Sequence, residues 1–500
     1  MNRPNHIRGP NPLTLPQICN LSIGLFGVQV VWGLQNVNTS RIFQTLGADV
    51  SDLALLWIAA PITGLIVQPL VGHFSDHLDG RWGRRSPFIV IGGVLTAISL
   101  LLMGHAPSLT AAVLGLWLLT ISVNILMQPL RALSADRLPS DQRMTGFALQ
   151  VCFIGAGAIF ASALPWILAN AFDVAGVDAK DGLPQSIRLA FALGALAMTM
   201  TVGWTVFRVR ERHHVLEDAS TIRRATRLAG TWRAHGLWVI SGLAIAVTVA
   251  GLDLPHEGYL LAGLPAAYGA IRALRAWRMQ RDTTSRGLFE IIDDIADMPL
   301  ALRRLAITQF LTWFGLFVMW VYSIPAIAFR HFGTSDVRSI AYAQAGDWVG
   351  LLAAMYDGVA VITALALPGL TRRIGLRPCY AICLAMGAAG LAAMLVIEDP
   401  AHLWISAVGI GIAWAAVLAA PYVIVANSVV PAKTGVYLGI HNIFLVLPQL
   451  VGAACLGKLM DVFFEDRPDV MLAIAAAAFA CAAASTGLIP SQVSPGRESQ

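Results

Sequence analysis

Charge is scarce in this chain. Asp, Glu, Lys and Arg make up only 13% of its 500 residues while 57% are hydrophobic, against about a quarter charged in a soluble domain. That balance excludes a soluble globular protein and leaves a multi-pass membrane protein. Lysine is rarer still, limited to Lys180, Lys433 and Lys458. The net charge of +5 gathers on no single patch; the arginines fall in short loops between apolar runs. That placement orients helices in a bilayer and argues against a nucleic-acid surface. The six cysteines, Cys19, Cys152, Cys379, Cys383, Cys455 and Cys481, all lie within apolar segments. Cys379 and Cys383 share a helix face, but no His or carboxylate stands beside them at ligand spacing, so packing is expected and no metal. Nucleophile elbow, metal-ligand spacing and paired catalytic acids are missing too. The chain reads as no enzyme and as needing no cofactor. The polar start through Pro12 leads into an apolar span without a small-residue cleavage site, so the first helix itself is expected to target the chain.

What is present is a series of apolar runs. They predict helices near 16–36, 53–74, 87–104, 111–130, 146–169 and 187–207, and again near 305–328, 345–369, 378–397, 402–425, 435–457 and 470–489. Arg81, Arg84, Arg85, Arg137, Arg143, Arg372, Arg373, Arg377 and Lys433 mark the inner loops, which puts both termini in the cytoplasm of a cell whose inner (plasma) membrane holds the chain. Between the two sets lies a basic stretch, 208–233, read as a solvated linker. Two more apolar spans follow, 236–254 and 259–277, and Arg272, Arg275, Arg278, Arg281 and Arg286 flank them. Basic flanks on both sides predict a hairpin that leaves and re-enters the cytoplasm. The segment 288–305, acidic early and basic late, reads as an interfacial helix. The expectation is an all-α polytopic protein of about 14 transmembrane helices. Its parts are 1–210, a six-helix half; 211–304, linker, inserted hairpin and interfacial helix; 305–490, a second six-helix half; and 491–500, a tail.

The stretch 61–89, PITGLIVQPLVGHFSDHLDGRWGRRSPFI, is the most informative. Gly72 lets the backbone approach a neighbouring helix, and Asp76 offers a carboxylate where a helix ends. Arg84 and Arg85 can pair with that carboxylate in one state and release it in another, which is how a gate is built. G-x-x-S-D followed by G-R-R and P-F-I resembles the major facilitator loop in the form seen in plant sucrose transporters, of the glycoside, pentoside and hexuronide cation symporter group. Trp57, Pro61, Ile62, Gly64, Gln68 and Pro69 extend that resemblance, as does WGLQ with Trp32 and Gln35. In the fourth helix Asn124, Pro129, Arg131 and Asp136 match the family, while its proton-coupling Asp falls on Thr120. GIGIAWAAVLAAPY and LGIHNIFLVLPQL are similar to the tenth and eleventh family helices, with Asn442, Pro448 and Gln449 kept. The segments 134–150 and 425–442 also repeat one another weakly, with Ala, Asp or Asn, Pro, a basic residue and Thr-Gly in common.

The resemblance implies a major facilitator fold, with substrate held between the halves and Gly72, Asp76, Arg84, Arg85 and Asp136 as gate. It implies a substrate set of Gln35, Gln68, Asn124, Arg131, Asn442 and Gln449, to which the aromatic face adds Trp313. For Arg131 the plainer alternative is an arginine snorkelling to phosphate. Phe310, Trp313, Phe314 and Phe317 share one face, which suits either the C–H side of a sugar or simple helix packing. Asp357, midway along an apolar helix, is a proton-coupling candidate because an intramembrane acid costs about 3 kcal/mol. His441 is the second, against a hydrogen-bonded packing histidine. The resulting expectation is proton-coupled uptake of a disaccharide such as sucrose or maltose by a monomer in the bilayer, with sugar and protons as its partners and no nucleic acid. With threonine at the family's Asp position, the alternative is an uncoupled facilitator or exporter of a sugar or other small metabolite.

Overall fold

The computed structural model describes residues 12–47, 59–78, 80–170, 183, 185–209, 211, 232–252, 254–255, 258–279, 288–336, 339–463 and 467–490. All regular structure among them is helical. In chain order the helices are α1 (Leu15–Ser22), α2 (Gly24–Thr45), α3 (Ala59–His77), α4 (Ser86–Gly104), α5 (Leu109–Arg137), α6 (Arg143–Asn170), α7 (Gln185–Arg208), α8 (Trp232–Gly251), α9 (Gly258–Met279), α10 (Leu288–Ala296), α11 (Leu300–His331), α12 (Ile340–Ile374), α13 (Leu376–Val396), α14 (Trp404–Ser428), α15 (Thr434–Phe463) and α16 (Pro468–Ser485). Among the described residues, 11 helical segments are long and apolar enough to cross a bilayer. Residues 210 and 212–231 of the basic stretch 208–233, residues 171–182 and Trp57 lie outside the described residues.

The chain divides into two compact units. The first comprises residues 1–214, 364–371 and 418–439; the second comprises 215–363, 372–417 and 440–500. In the first unit α2 packs on α6 and α7, and α4 packs on α5 and α7. Helices immersed in lipid gain nothing from burying leucine against leucine, so close packing of small residues holds them instead. Gly33 sits against Ala161 and Gly92 against the backbone of Leu126. Leu34, Leu100, Met103, Leu116, Leu126 and Phe191 fill the space between these contacts.

In the second unit α16 packs on α11 and α13, and α8 packs on α9. Phe479 of α16 fits over Gly315 of α11 and Gly387 of α13, while Gly242 of α8 meets Ala262 and Ala266 of α9. Proline occurs inside α3, α5, α9, α11, α12, α14 and α15. Neighbouring helices tolerate such breaks in lipid.

Several boundaries depart from expectation, first at the span 16–36, which is α1 followed by an α2 that runs on to Thr45. The fourth long helix runs on to Arg137, because Arg131 and Asp136 find partners that hydropathy alone does not reveal. The segment expected as one interfacial helix is two. α10 stops at Ala296, Pro299 caps α11, and Arg303 and Arg304 therefore belong to α11. There they donate to the Ala296 carbonyl at 2.8 Å and the Leu488 carbonyl at 2.8 Å.

Candidate functional site

Asp76 lies in the last turn of α3, where four carbonyls lose their intrahelical partners and a carboxylate gains nothing from its own helix. Its partners come from elsewhere. Oδ1 accepts from the backbone N–H of Gly435 at 3.0 Å and Oδ2 from that of Val436 at 2.8 Å, the free donors at the start of α15. Gly72, one turn earlier, makes this approach possible: a Cβ there would collide with the Gly435 carbonyl. That carbonyl also accepts from Gln128 Nε2 at 2.9 Å.

The arginines close the cluster. Arg85 is completely buried and pairs with Asp76 through Nη2, with Asp136 through Nε at 3.1 Å and with Ser75 Oγ at 2.6 Å. Arg84 donates to Asp136 Oδ2 at 2.7 Å and to the Pro431 carbonyl at 3.2 Å. Burial opposes the charge on Arg85, but the carboxylates of Asp76 and Asp136 outweigh it and raise the guanidinium above its ordinary value. Arg85 is therefore a permanent cation whose counter-charges sit at two helix ends. The sequence-predicted gate residues Gly72, Asp76, Arg84, Arg85 and Asp136 are thus assembled in one place.

Four members were not expected. Ser75 bridges Arg85 to the Gly72 carbonyl. Glu211 accepts from the N–H of Arg85 at 2.9 Å and of Ser86 at 3.1 Å, a carboxylate on the N-terminus of α4. The backbone of Gly435 and Val436 carries no side-chain signature at all. The one available hint was Thr434-Gly435, within the internal repeat. The two repeat segments meet, since Arg143 donates to the Ala426 carbonyl at 2.7 Å and to Asn427 Oδ1.

The remaining candidates in the first unit form a polar ladder. Gln68 Nε2 donates to Asn124 Oδ1 at 2.6 Å, and Asn124 Nδ2 donates to Thr63 Oγ1 at 3.2 Å and to the Thr120 carbonyl at 2.8 Å. Thr120 itself donates back to the Leu116 carbonyl at 2.9 Å. Arg131 donates to the Tyr422 hydroxyl, with its guanidinium carbon 4.4 Å from that ring's centroid. Gln35 is fully buried on α2.

In the second unit the aromatic face splits. Phe310 and Phe314 stack with centroids 6.4 Å apart, and Phe317 covers Gly452. Trp313 instead joins Trp320 and Trp414, each pair edge to face at about 6 Å. Asp357 is half-buried on α12 and faces Trp414, beside Tyr356, which meets Trp320. His441 is buried, with its Nε2 3.0 Å from Gln309 Nε2. Asn442 is buried next to it. Gln449 donates to its own helix at the Leu445 carbonyl, 2.8 Å away.

The pattern of the Major Facilitator Superfamily matches residues 21–453. Over 489 residues the chain is 25% identical to the sucrose transport protein SUC4 of Arabidopsis thaliana, covering 90% of this chain and 85% of that one. It is 29% identical over 210 residues to the general alpha-glucoside permease of Schizosaccharomyces pombe, covering 38% of this chain and 36% of that one. Among solved structures, the Major Facilitator Superfamily transporter FucP in the outward conformation aligns with a TM-score of 0.60 at 13% identity, over 96% of this chain and 99% of that one. The human organic anion transporter MFSD10 aligns with a TM-score of 0.61 at 14% identity, over 95% and 100%. At those identities the likeness is one of fold. With a family pattern spanning most of its length, and a loop that folds into the charge cluster its spacing implies, this chain belongs to the Major Facilitator Superfamily, whose members are transporters rather than enzymes.

Proposed function

We propose that the chain imports a saccharide, a disaccharide such as sucrose or maltose, across the cell's inner (plasma) membrane by alternating access and as a monomer. The observation that carries this reading is the alignment with sucrose transport proteins along almost the whole chain. The buried charge cluster supports the mechanism. It ties α3, α4 and α5 to the start of α15 through bonds that two helix ends can make and break together, and a bistable latch is what a gate requires. In this reading Gln35, Gln68, Asn124, Arg131, Trp313, Asn442 and Gln449 meet the sugar, with both termini and the charge cluster on the cytoplasmic side.

Asp357 and His441 are the proposed proton carriers. One proton entering down 100 mV supplies about 2.3 kcal/mol, which sustains roughly fifty-fold accumulation. The second reading is an uncoupled facilitator or exporter of a sugar or other small metabolite. Thr120 favours it, because a threonine bonded to its own helix at Leu116 carries no proton. Uptake of labelled sugars by proteoliposomes, with and without an inward proton gradient, separates the two. Gradient-driven accumulation supports coupling, gradient-independent equilibration supports the facilitator, and no sugar flux defeats both.

A further inference from the structure

α2 carries a buried polar pair that finds no hydrogen-bond partner among the described residues. Gln35 and Thr39 are fully buried, and among the described residues neither amide atom of Gln35 nor the hydroxyl of Thr39 has a hydrogen-bond partner. Other described helical threonines and amides behave differently. Thr96, Thr120, Thr199 and Thr312 each donate to the carbonyl four residues back, the ordinary resort of a helical threonine. Gln449 donates to its own Leu445 carbonyl and Asn38 to Leu34. Gln35 and Thr39 take neither course.

Helix geometry says where they face. α2 turns Gly33 onto Ala161 of α6 and Leu34 toward Gly194 of α7. At about 100° per residue, Gln35 and Thr39 project from the side opposite Gly33, roughly 6 Å apart on one face. Buried polar groups are as a rule hydrogen-bonded, and an exception needs an explanation. A guest supplies one. Gln35 offers two donors and an acceptor, and Thr39 offers one donor and two lone pairs. Both are neutral groups that pair with hydroxyls, which also donate and accept.

We infer that Gln35 and Thr39 together form a hydroxyl-reading subsite for a neutral polyhydroxylated substrate, with Thr39 a specificity-determining residue. The inference rests on the sugar-carrier reading and adds to it. Substrate hydroxyls complete the hydrogen bonds that the unliganded protein leaves unmade. A site built to bond a hydroxyl rejects the analogue lacking it, because the protein group is then left unpaired.

The test compares wild type with Thr39→Val, Thr39→Ser and Gln35→Leu, as full-length protein in proteoliposomes, using labelled sucrose and maltose, each competed by its full set of monodeoxy analogues. The expected result for Thr39→Val and Gln35→Leu is at least a tenfold loss of sugar affinity with an unchanged or raised melting temperature, since removing an unsatisfied buried polar group does not harm the fold. Thr39→Val should also lose discrimination against one particular deoxy analogue, and Thr39→Ser should keep it. Unchanged sugar affinity in both variants overturns the inference. So does a fall in melting temperature in step with affinity, because the groups would then serve the fold. No saccharide transport by wild type would defeat the underlying carrier reading, a result distinct from either.

Discussion

Asp76 and Val436, separated by 360 residues in sequence, are joined by a 2.8 Å hydrogen bond from backbone N–H to carboxylate. The neighbouring N–H of Gly435 reaches the other oxygen at 3.0 Å. A side chain that loses nothing by leaving its own helix end thereby satisfies donors at the start of another. Arg85 sits on the same carboxylate, so three partners depend on one residue.

Removing that residue should therefore be expensive. Asp76→Ala leaves Arg85 buried with Asp136 as its remaining carboxylate and leaves two N–H groups without an acceptor. Loss of one partner of a buried pair costs about 3 kcal/mol. The melting temperature of the purified protein should drop accordingly. Glu398→Gln, at an exposed carboxylate, should change stability by no more than about 0.5 kcal/mol.

Close approach at Gly72 makes a sharper contrast. Gly72→Ala drives a methyl group into the Gly435 carbonyl, whereas Gly203 on α7 has nothing near a Cβ. Gly72→Ala should depress both transport and melting temperature. Gly203→Ala should leave transport intact and stabilise α7 by about 0.5–1 kcal/mol. Equal effects of the two substitutions on melting temperature would remove the contact from the account.

Glu211 links the loop before α4 to the chain leaving α7. Glu211→Gln retains the shape but weakens four bonds from Arg85 and Ser86. Loss of a charged cap at a helix N-terminus is worth about 1 kcal/mol. The loss should be visible in chemical denaturation at low salt and shrink at high salt.

Coupling is tested at Asp357. In the coupled reading, Asp357→Asn abolishes uphill uptake driven by a proton gradient while sugar exchange across the membrane continues. Uptake measured with the gradient imposed and then collapsed gives the answer. Unchanged gradient-driven accumulation removes Asp357 from the mechanism.

Much of this architecture could be read in advance. Apolar runs broken by arginine-bearing loops located the helices, since lipid solvation acts on each segment separately. The charge cluster was legible from the spacing of Gly72, Asp76, Arg84 and Arg85. Its partners were not: Gly435 and Val436 contribute only backbone N–H groups, and Glu211 looked like one acid at the edge of a basic linker. The extension of α5 through Arg131 to Asp136 was hidden for a related reason. Hydropathy counts those residues as polar, whereas Tyr422 and the paired arginines satisfy them from distant parts of the chain. The single helix expected over 288–305 failed at Pro299, where a missing N–H favours a fresh start. Trp313 shares its helical face with phenylalanines by spacing, yet the rings it meets are Trp320, two turns on along α11, and Trp414 of α14.

Solute counterflow reports alternating access by a sugar carrier whether or not protons are coupled. Proteoliposomes loaded with unlabelled sucrose or maltose are diluted into trace labelled sugar. Alternating access predicts a transient internal overshoot of label above equilibrium, lost in Asp76→Ala. Label that never rises above equilibrium for any saccharide, in wild-type protein of confirmed fold, would contradict it.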